Sequence, residues 1–142
     1  MAFFEIITIS LISQFMEYKY SDTTARIIRA AMNVHSVIGN GFQELIYQRS
    51  LEVEFGLMNI SFGREVDILV HYKNVEEGCR RVDFLVENKI SVELKALIKL
   101  ESVHLAQAKN YLEAFNLEVG LLINFGANSL EWKRLYNNKY KK

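Results

Sequence analysis

The segment that spans residues 81–96 reads Arg81-Val82-Asp83-Phe84-Leu85-Val86-Glu87-Asn88-Lys89-Ile90-Ser91-Val92-Glu93-Leu94-Lys95-Ala96. Two runs of alternating residues flank a polar centre, which predicts the two strands of a β-hairpin. Asp83, Glu93 and Lys95 are charged residues within these apolar strands. Charges among Val, Ile, Leu and Phe side chains are unfavourable unless they are paired or bind a cation. Their presence therefore indicates a role other than folding.

The register of this hairpin follows from its apolar positions, which are Val82, Phe84 and Val86 in the first strand and Ile90, Val92 and Leu94 in the second. Directly opposed residues share a face of the sheet, and successive residues alternate between faces. The two apolar sets therefore share a face only if the numbers of paired residues sum to an even value. This condition requires an odd-length connection, such as a three-residue loop, or a bulge, and it excludes a two-residue Asn88-Lys89 turn. The same register places Asp83, Glu93 and Lys95 together on the opposite face.

The rest of the chain predicts helices and strands around the hairpin. The predicted helices are one capped by Ser21 or Asp22 and ended by Gly39-Asn40-Gly41, one from Phe42 to Phe55 stopped by Gly56, and one from about Ser102 to Phe115. The other predicted features are a strand at Phe62–Tyr72, a turn at Lys73–Gly78, a buried strand within Gly120–Gly126, an edge strand at Leu130–Tyr136 and a fraying tail at Asn137–Lys142. The element order is therefore ααβββαβ with a final edge strand, an α/β (α+β) fold.

The composition fits one compact domain with little global attraction to nucleic acid. The chain has 142 residues, of which 50% are apolar and none is proline, so we predict a single domain over residues 16–142. Its 17 basic and 17 acidic side chains cancel, which argues against a high-affinity non-specific DNA-binding protein but not against an enzyme that contacts DNA briefly. Cys79 is the only cysteine, which excludes an intramolecular disulfide and favours a reducing cytoplasm.

The segment Met1–Phe15 is apolar and stands apart from this domain as an N-terminal extension. It lacks the basic start of a secretory signal and is short for a membrane span, so we predict no membrane association. Two interpretations remain for it. Either it adds an element that packs on the domain, or translation begins at Met16, which is the interpretation that the polar sequence after Met16 favours.

The charged residues of the hairpin suit one kind of chemistry. Asp83 and Glu93 would form a hard oxygen site suited to Mg²⁺ or Mn²⁺. Lys95 beside them can orient a water molecule and help to deprotonate it, or stabilise negative charge on phosphorus, as hydrolysis of a phosphodiester requires. The simpler alternative is an exposed, salt-bridged sheet face, because an isolated Glu-x-Lys motif is common.

Two motifs connect the chain with a known family. Asp83 is followed, after nine intervening residues, by Glu93-Leu94-Lys95, and Gly41-Phe42-Gln43-Glu44-Leu45-Ile46-Tyr47 precedes them. In these motifs the chain resembles the PD-(D/E)XK nuclease-like superfamily, and within it the GxxExxY proteins. The similarity runs from about Asp22 to Tyr136 and includes Gln107, Tyr111-Leu112 and the segment Gly120–Gly126. It implies a restriction-endonuclease-like core, with a mixed central sheet flanked by helices.

The resemblance also implies roles for the hairpin residues. Asp83 and Glu93, helped by the backbone carbonyl of Leu94, would hold Mg²⁺ or Mn²⁺, and Lys95 would be the catalytic lysine. One departure is that Val82 precedes Asp83 where the superfamily motif has proline. The implied activity is a nuclease that contacts DNA or RNA transiently and leaves a 5′-phosphate.

Residues outside the hairpin would complete this site. The resemblance implies that Glu44 completes or orients it and that Gln107 contacts the lysine, the water or the substrate. Tyr47 either contacts Glu44 or packs its ring in the core. The sequence assigns no catalytic role to His35, His71, His104 or Cys79. Arg64 and Lys99 are either surface charges or phosphate contacts. The alternative function is an inactive module of the same fold that binds nucleic acid or a protein, and a homodimer is compatible with either function.

Overall fold

The computed structural model describes residues 19–142, in which three helices and five strands follow one another in the predicted order. The helices are α1 (Ser21–Ile38), α2 (Glu44–Leu57) and α3 (Ser102–Phe115), and the strands are β1 (Phe62–Tyr72), β2 (Val75–Val86), β3 (Ile90–Lys95), β4 (Val119–Asn124) and β5 (Glu131–Tyr136). The interpretations given to Met1–Phe15 and Met16 lie outside these residues. None of the three helices is long and apolar enough to cross a membrane.

The five strands form one mixed sheet in the order β1-β2-β3-β4-β5. The pairs β1–β2, β2–β3 and β4–β5 are antiparallel, whereas β3 and β4 are parallel. Parallel neighbours cannot be joined by a tight turn, and α3 provides the crossover between them. The order ααβββαβ with a final edge strand is therefore confirmed, as is the α+β class.

The register predicted for the hairpin of β2 and β3 is also confirmed. Phe84 pairs with Val92 and Val86 pairs with Ile90, so residues 87–89 form a three-residue connection. Glu87 and Asn88 in this loop have positive φ angles of 52° and 56°, a conformation that reverses the chain.

The main core lies between helices α1 and α2 and one face of the sheet. Its fully buried residues include Ile27, Ala31, Tyr47, Leu51, Phe55, Phe84, Val92, Leu121, Ile123 and Phe125. The rings of Phe55 and Phe84 meet edge to face with centroids 5.1 Å apart. Each such buried apolar side chain contributes about 1.5–3 kcal/mol by leaving water. Helix α3 lies on the other side of the sheet and buries Ala108 and Leu112.

Strand β2 is longer than the sequence predicted. The turn expected over Lys73–Gly78 is limited to Lys73 and Asn74, which have positive φ angles of 48° and 65°. Two consecutive residues in this conformation form a tight hairpin turn whose twist matches that of the strands, so Tyr72 pairs directly with Val75. We call the outer part of this hairpin, residues 66–81, the β1–β2 arm; its residues on β2 are exposed.

Three smaller predictions are wrong at the ends of elements. Ser21 does not cap α1, because the Thr24 N–H already bonds to the Tyr20 carbonyl and thereby places Ser21 inside the helix. Helix α2 begins at Glu44 rather than Phe42 and continues through Gly56 to Leu57.

The tail predicted to fray from Asn137 is held at its start. Asn137 is buried, and its side-chain amide donates to the carbonyls of Leu112 and Leu117 at 3.2 and 2.9 Å. These two bonds fasten the end of the chain to the C-terminal end of α3.

A buried amide holds the chain where it leaves β3. The Asn124 Oδ1 atom accepts bonds from the Leu97 and Gly126 N–H groups at 2.8 and 3.1 Å, and its Nδ2 atom donates to the Leu97 carbonyl at 2.9 Å. A Cβ atom on Gly126 would lie 2.4 Å from the Leu97 backbone nitrogen and oxygen. Glycine at this position therefore lets the two segments approach closely beyond Lys95.

We expect Gly126→Ala to destabilise the fold by about 1–3 kcal/mol, because the added methyl group meets backbone atoms that cannot move aside. Gly56→Ala is the matched control: a Cβ there meets nothing within 4 Å, and alanine in the helix should stabilise by about 0.5–1 kcal/mol. Urea unfolding measures both changes. Equal stability of Gly126→Ala and the unsubstituted chain would contradict the close approach.

Candidate active site

The candidate site begins where β2 and β3 stop pairing through their backbones. Their regular pairing extends only as far as Phe84 and Val92. Beyond this point the Asp83 carboxylate bridges the strands, because its Oδ2 atom accepts a hydrogen bond from the Leu94 N–H at 2.7 Å. A side chain has thus replaced the next backbone acceptor and is fixed between the two strands.

A chain of polar side chains orients Asp83 from the side of α2. The Gln48 amide donates to Asp83 Oδ1 at 3.4 Å, and Arg64 donates to Gln48 Oε1 at 3.0 Å and to Glu52 at 2.8 Å. Arg64 is therefore neither a solvated surface charge nor a free phosphate contact, which corrects both predictions made for it. Gln48 was missed, although Glu44, Gln48 and Glu52 recur every four residues and so share one helix face.

Glu93 is buried next to Asp83, and hydrogen bonds within residues 19–142 do not satisfy both of its carboxyl oxygens. Only 8% of the residue is exposed, and its Oε1 atom has no hydrogen-bond partner among the described residues. Burial, and secondarily the negative charge of Asp83, raise the pKa of Glu93 to about 8, although Lys95 opposes this shift. Burial likewise raises the pKa of Asp83, against the hydrogen bond from Leu94. Ionisation of both carboxyl groups is therefore unfavourable when no cation is present.

An acidic cleft of about 220 Å³ opens beside Asp83, lined by Glu44, Leu45, Gln48, Glu65, Asp83 and Leu94. Glu44 lies at the N-terminus of α2 and lines this cleft together with Asp83. Glu65 was not foreseen. Its φ angle of 53° departs from the extended conformation within β1, between Arg64 and Val66, which pair with Phe84 and Val82. No feature of the alternating β1 sequence signals this backbone conformation.

Lys95 lies on the α3 side of the sheet. A narrow crevice there is lined by Glu93, Lys95, His104, Gln107, Ala108, Tyr111 and Leu122. Gln107 thus lines the same crevice as Lys95. His104 also reaches this crevice, but its Nδ1 atom accepts the Glu101 N–H at 3.0 Å and so caps α3.

Tyr47 does not contact Glu44 through its hydroxyl group. The ring is fully buried and stacks on Phe125, with centroids 4.7 Å apart. The hydroxyl donates to the Gly39 carbonyl at 2.7 Å and accepts the Phe42 N–H at 3.2 Å. Of the two interpretations of Tyr47, packing in the core is therefore correct, and its hydroxyl fixes the turn that precedes α2.

In their present conformations, only some of the candidate side chains are placed to bind a divalent cation. Within residues 19–142, no three His, Cys, Asp or Glu side chains form a cluster that could hold a metal ion. The expected gathering of Glu44, Asp83 and Glu93 is thus not met, since Glu44 lies on the exposed first turn of α2 across the cleft. Asp83 and Glu93 do fit: they are two oxygen donors, and one of their oxygens is buried and unpartnered.

We expect Glu93→Gln to stabilise the metal-free chain at alkaline pH. The unfolded chain releases the Glu93 proton near pH 4.5 and the folded chain near pH 8, so the folded state binds more protons between these values and loses stability as pH rises. Glutamine keeps the size of the side chain and removes this loss.

The gain from Glu93→Gln should be small at pH 5 and on the order of 3 kcal/mol at pH 8.5, measured by urea unfolding with a chelator present. Glu77→Gln, on the exposed arm, is the control. A gain that does not change with pH would contradict the buried carboxyl pair.

Comparison with known proteins agrees with this geometry. A model of the PD-(D/E)XK nuclease superfamily matches residues 21–135, from α1 to β5. Among solved structures, the crystal structure of SSO0001 is similar, with a TM-score of 0.53 and 25% sequence identity over 65% of this chain. The match covers 49% of SSO0001, so the present chain corresponds to about half of that protein. A search of the curated proteins found no match.

The family match extends over most of the chain and includes both central strands with Asp83, Glu93 and Lys95. The five-stranded mixed sheet with its three helices is the restriction-endonuclease-like core that the sequence predicted. The chain belongs to the PD-(D/E)XK nuclease superfamily.

Proposed function

We propose that this chain is a metal-dependent nuclease that hydrolyses phosphodiester bonds of DNA or RNA. One observation carries the proposal: two carboxyl groups, those of Asp83 and Glu93, are held together in a buried position next to Lys95, and a Glu93 oxygen has no partner within residues 19–142. An exposed salt-bridged surface would not bury an unpartnered carboxylate oxygen. The arrangement is therefore better suited to binding a cation than to stabilising the sheet.

In this proposal, Asp83, Glu93 and the carbonyl of Leu94 would hold Mg²⁺ or Mn²⁺. PD-(D/E)XK nucleases generally use divalent metals, and such an ion would supply positive charge for the substrate phosphate and lower the pKa of water. The Leu94 N–H and the Gln48 amide fix both oxygens of Asp83, so the carboxylate is oriented before any ligand arrives.

The other residues act on the water and the phosphate. The Lys95 ammonium group donates hydrogen bonds to the attacking water or to the phosphoryl oxygen that gains negative charge. Gln107, in the same crevice as Lys95, positions that water or the substrate. Glu44 faces Asp83 across the acidic cleft and orients the cation side of the site. The expected product carries a 5′-phosphate.

The motif at the start of α2 supports assignment to the GxxExxY proteins within the superfamily. Gly41 has a φ angle of 102°, which favours glycine and allows the turn before the helix. Glu44 is the first residue of α2 and faces the cleft. The Tyr47 hydroxyl ties Gly39 to Phe42 and so fixes the turn. Gly41 and Tyr47 therefore shape the turn that places Glu44 at the cleft.

The free, exposed thiol of Cys79 suits a reducing environment, and we place the protein in the cytoplasm on this ground.

We expect the purified chain to cleave nucleic acid in Mg²⁺ or Mn²⁺, and Lys95→Ala to reduce the rate by about 10²–10⁴-fold, the range for loss of a positioned proton donor or acceptor. The substrates are single-stranded, duplex and branched DNA and single-stranded RNA, each end-labelled and analysed on denaturing gels. Lys133→Ala removes an exposed lysine from β5 and should leave the rate unchanged.

Cleavage that survives Lys95→Ala would come from a contaminating nuclease and would contradict the assignment. Binding of nucleic acid without cleavage under every condition would instead favour the alternative, a module of this fold that has lost turnover.

A further inference from the structure

A second crevice continues from the candidate site along α3. It has a volume of about 140 Å³, lies between the β1–β2 arm and α3, and is lined by Val70, Arg80, Gln107, Asn110, Tyr111 and Ala114. Gln107 and Tyr111 also line the crevice that contains Lys95. The two crevices are therefore adjacent along one face of the helix.

Arg80 is placed in this crevice as an available cation. Its guanidinium group lies 5.3 Å from the centroid of the Tyr111 ring, a distance at which the ring face attracts the charge. No carboxylate within residues 19–142 forms an ion pair with Arg80, and the residue is exposed. A guanidinium group stacked on a ring keeps its N–H edges free to donate to an anion.

The adjacent residue, Arg81, behaves differently. Its Nε atom bonds to Asp67 Oδ1 at 2.8 Å in an exposed ion pair, which raises the pKa of Arg81 and lowers that of Asp67. The two arginines are adjacent on one exposed strand, but of these two only Arg80 keeps an unneutralised charge directed to α3. This difference provides a matched pair for experiment.

The cleft beside α2 and the crevice at Arg80 also differ in the sign of their charge. The cleft beside α2 carries Glu44, Glu65 and Asp83, which repel a phosphodiester backbone unless cations intervene. Among the described residues that line the crevice between the arm and α3, Arg80 alone is charged, and the side chains of Gln107 and Asn110 add neutral hydrogen-bond donors. An anionic strand is therefore favoured on the α3 side.

We propose that Arg80, supported by the Tyr111 ring, binds a backbone phosphate of the nucleic-acid strand whose scissile phosphodiester lies at Lys95. This inference rests on the proposed nuclease function and adds the path of the strand.

The test measures binding separately from cleavage. All variants carry Lys95→Ala, and fluorescence anisotropy in Mg²⁺ gives the affinity for labelled single-stranded DNA, duplex DNA and single-stranded RNA at several salt concentrations. Arg80→Ala should weaken binding about 10-fold and reduce the slope of log K against log salt by about 0.7–0.9, the value for one phosphate contact. Arg81→Ala should retain the parent affinity and slope, and the three nucleic acids show which source of phosphate the crevice accepts.

Two further variants separate contact from folding. Arg80→Lys keeps the charge and should retain most of the salt slope, while Tyr111→Phe keeps the ring and should bind like the parent. The inference is overturned if Arg80→Ala and Arg81→Ala have equal affinities and slopes; the proposed function then stands if the chain with Lys95 intact still cleaves. If that chain neither cleaves nor binds any of the three nucleic acids, both proposals fail.

Discussion

The hydrogen bond from the Leu94 N–H to the Asp83 carboxylate is the interaction on which the candidate site depends. It joins β2 and β3 at the point where their backbone pairing ends, and it holds Asp83 next to Glu93. The surrounding fold maintains this unfavourable approach of two carboxyl groups through the core and through the polar chain from Asp83 by way of Gln48 and Arg64 to Glu52. Charged groups held in such unfavourable positions are common where a protein binds a ligand.

The sheet separates an acidic cleft from the crevices that contain Lys95 and Arg80. On the α2 side, Glu44 and Glu65 extend the negative charge of Asp83. On the α3 side, Lys95 and Arg80 face crevices that share lining residues of one helix. A cation and a polyanion can therefore approach the same carboxyl pair from different directions. If the proposed function is correct, a chain of zero formal net charge would attract its substrate through local rather than global charge.

The sequence predicted those features that depend on alternation and on short motifs. The parity of Phe84 and Val92 determined the register, because one apolar face had to be buried. The sequence did not predict the length of β2, because Lys73 and Asn74 adopt a left-handed conformation that residue type alone seldom indicates for lysine. The positive φ angle of Glu65 was missed for the same reason, because residue type seldom indicates this conformation for glutamate. The contacts of Arg64 and Tyr47 come from residues brought together by tertiary packing, so local patterns could not assign them.

Binding of Mn²⁺ by isothermal titration calorimetry is the most direct measurement of the central claim, that Asp83 and Glu93 together form a cation site. We predict that the unsubstituted chain binds Mn²⁺ at this site, and that Asp83→Asn weakens binding at least about 10-fold because a ligand charge is lost. Asp67→Asn, which removes the exposed partner of Arg81, should bind like the unsubstituted chain. Unchanged Mn²⁺ affinity in Asp83→Asn would contradict the claim that these two carboxyl groups hold the cation.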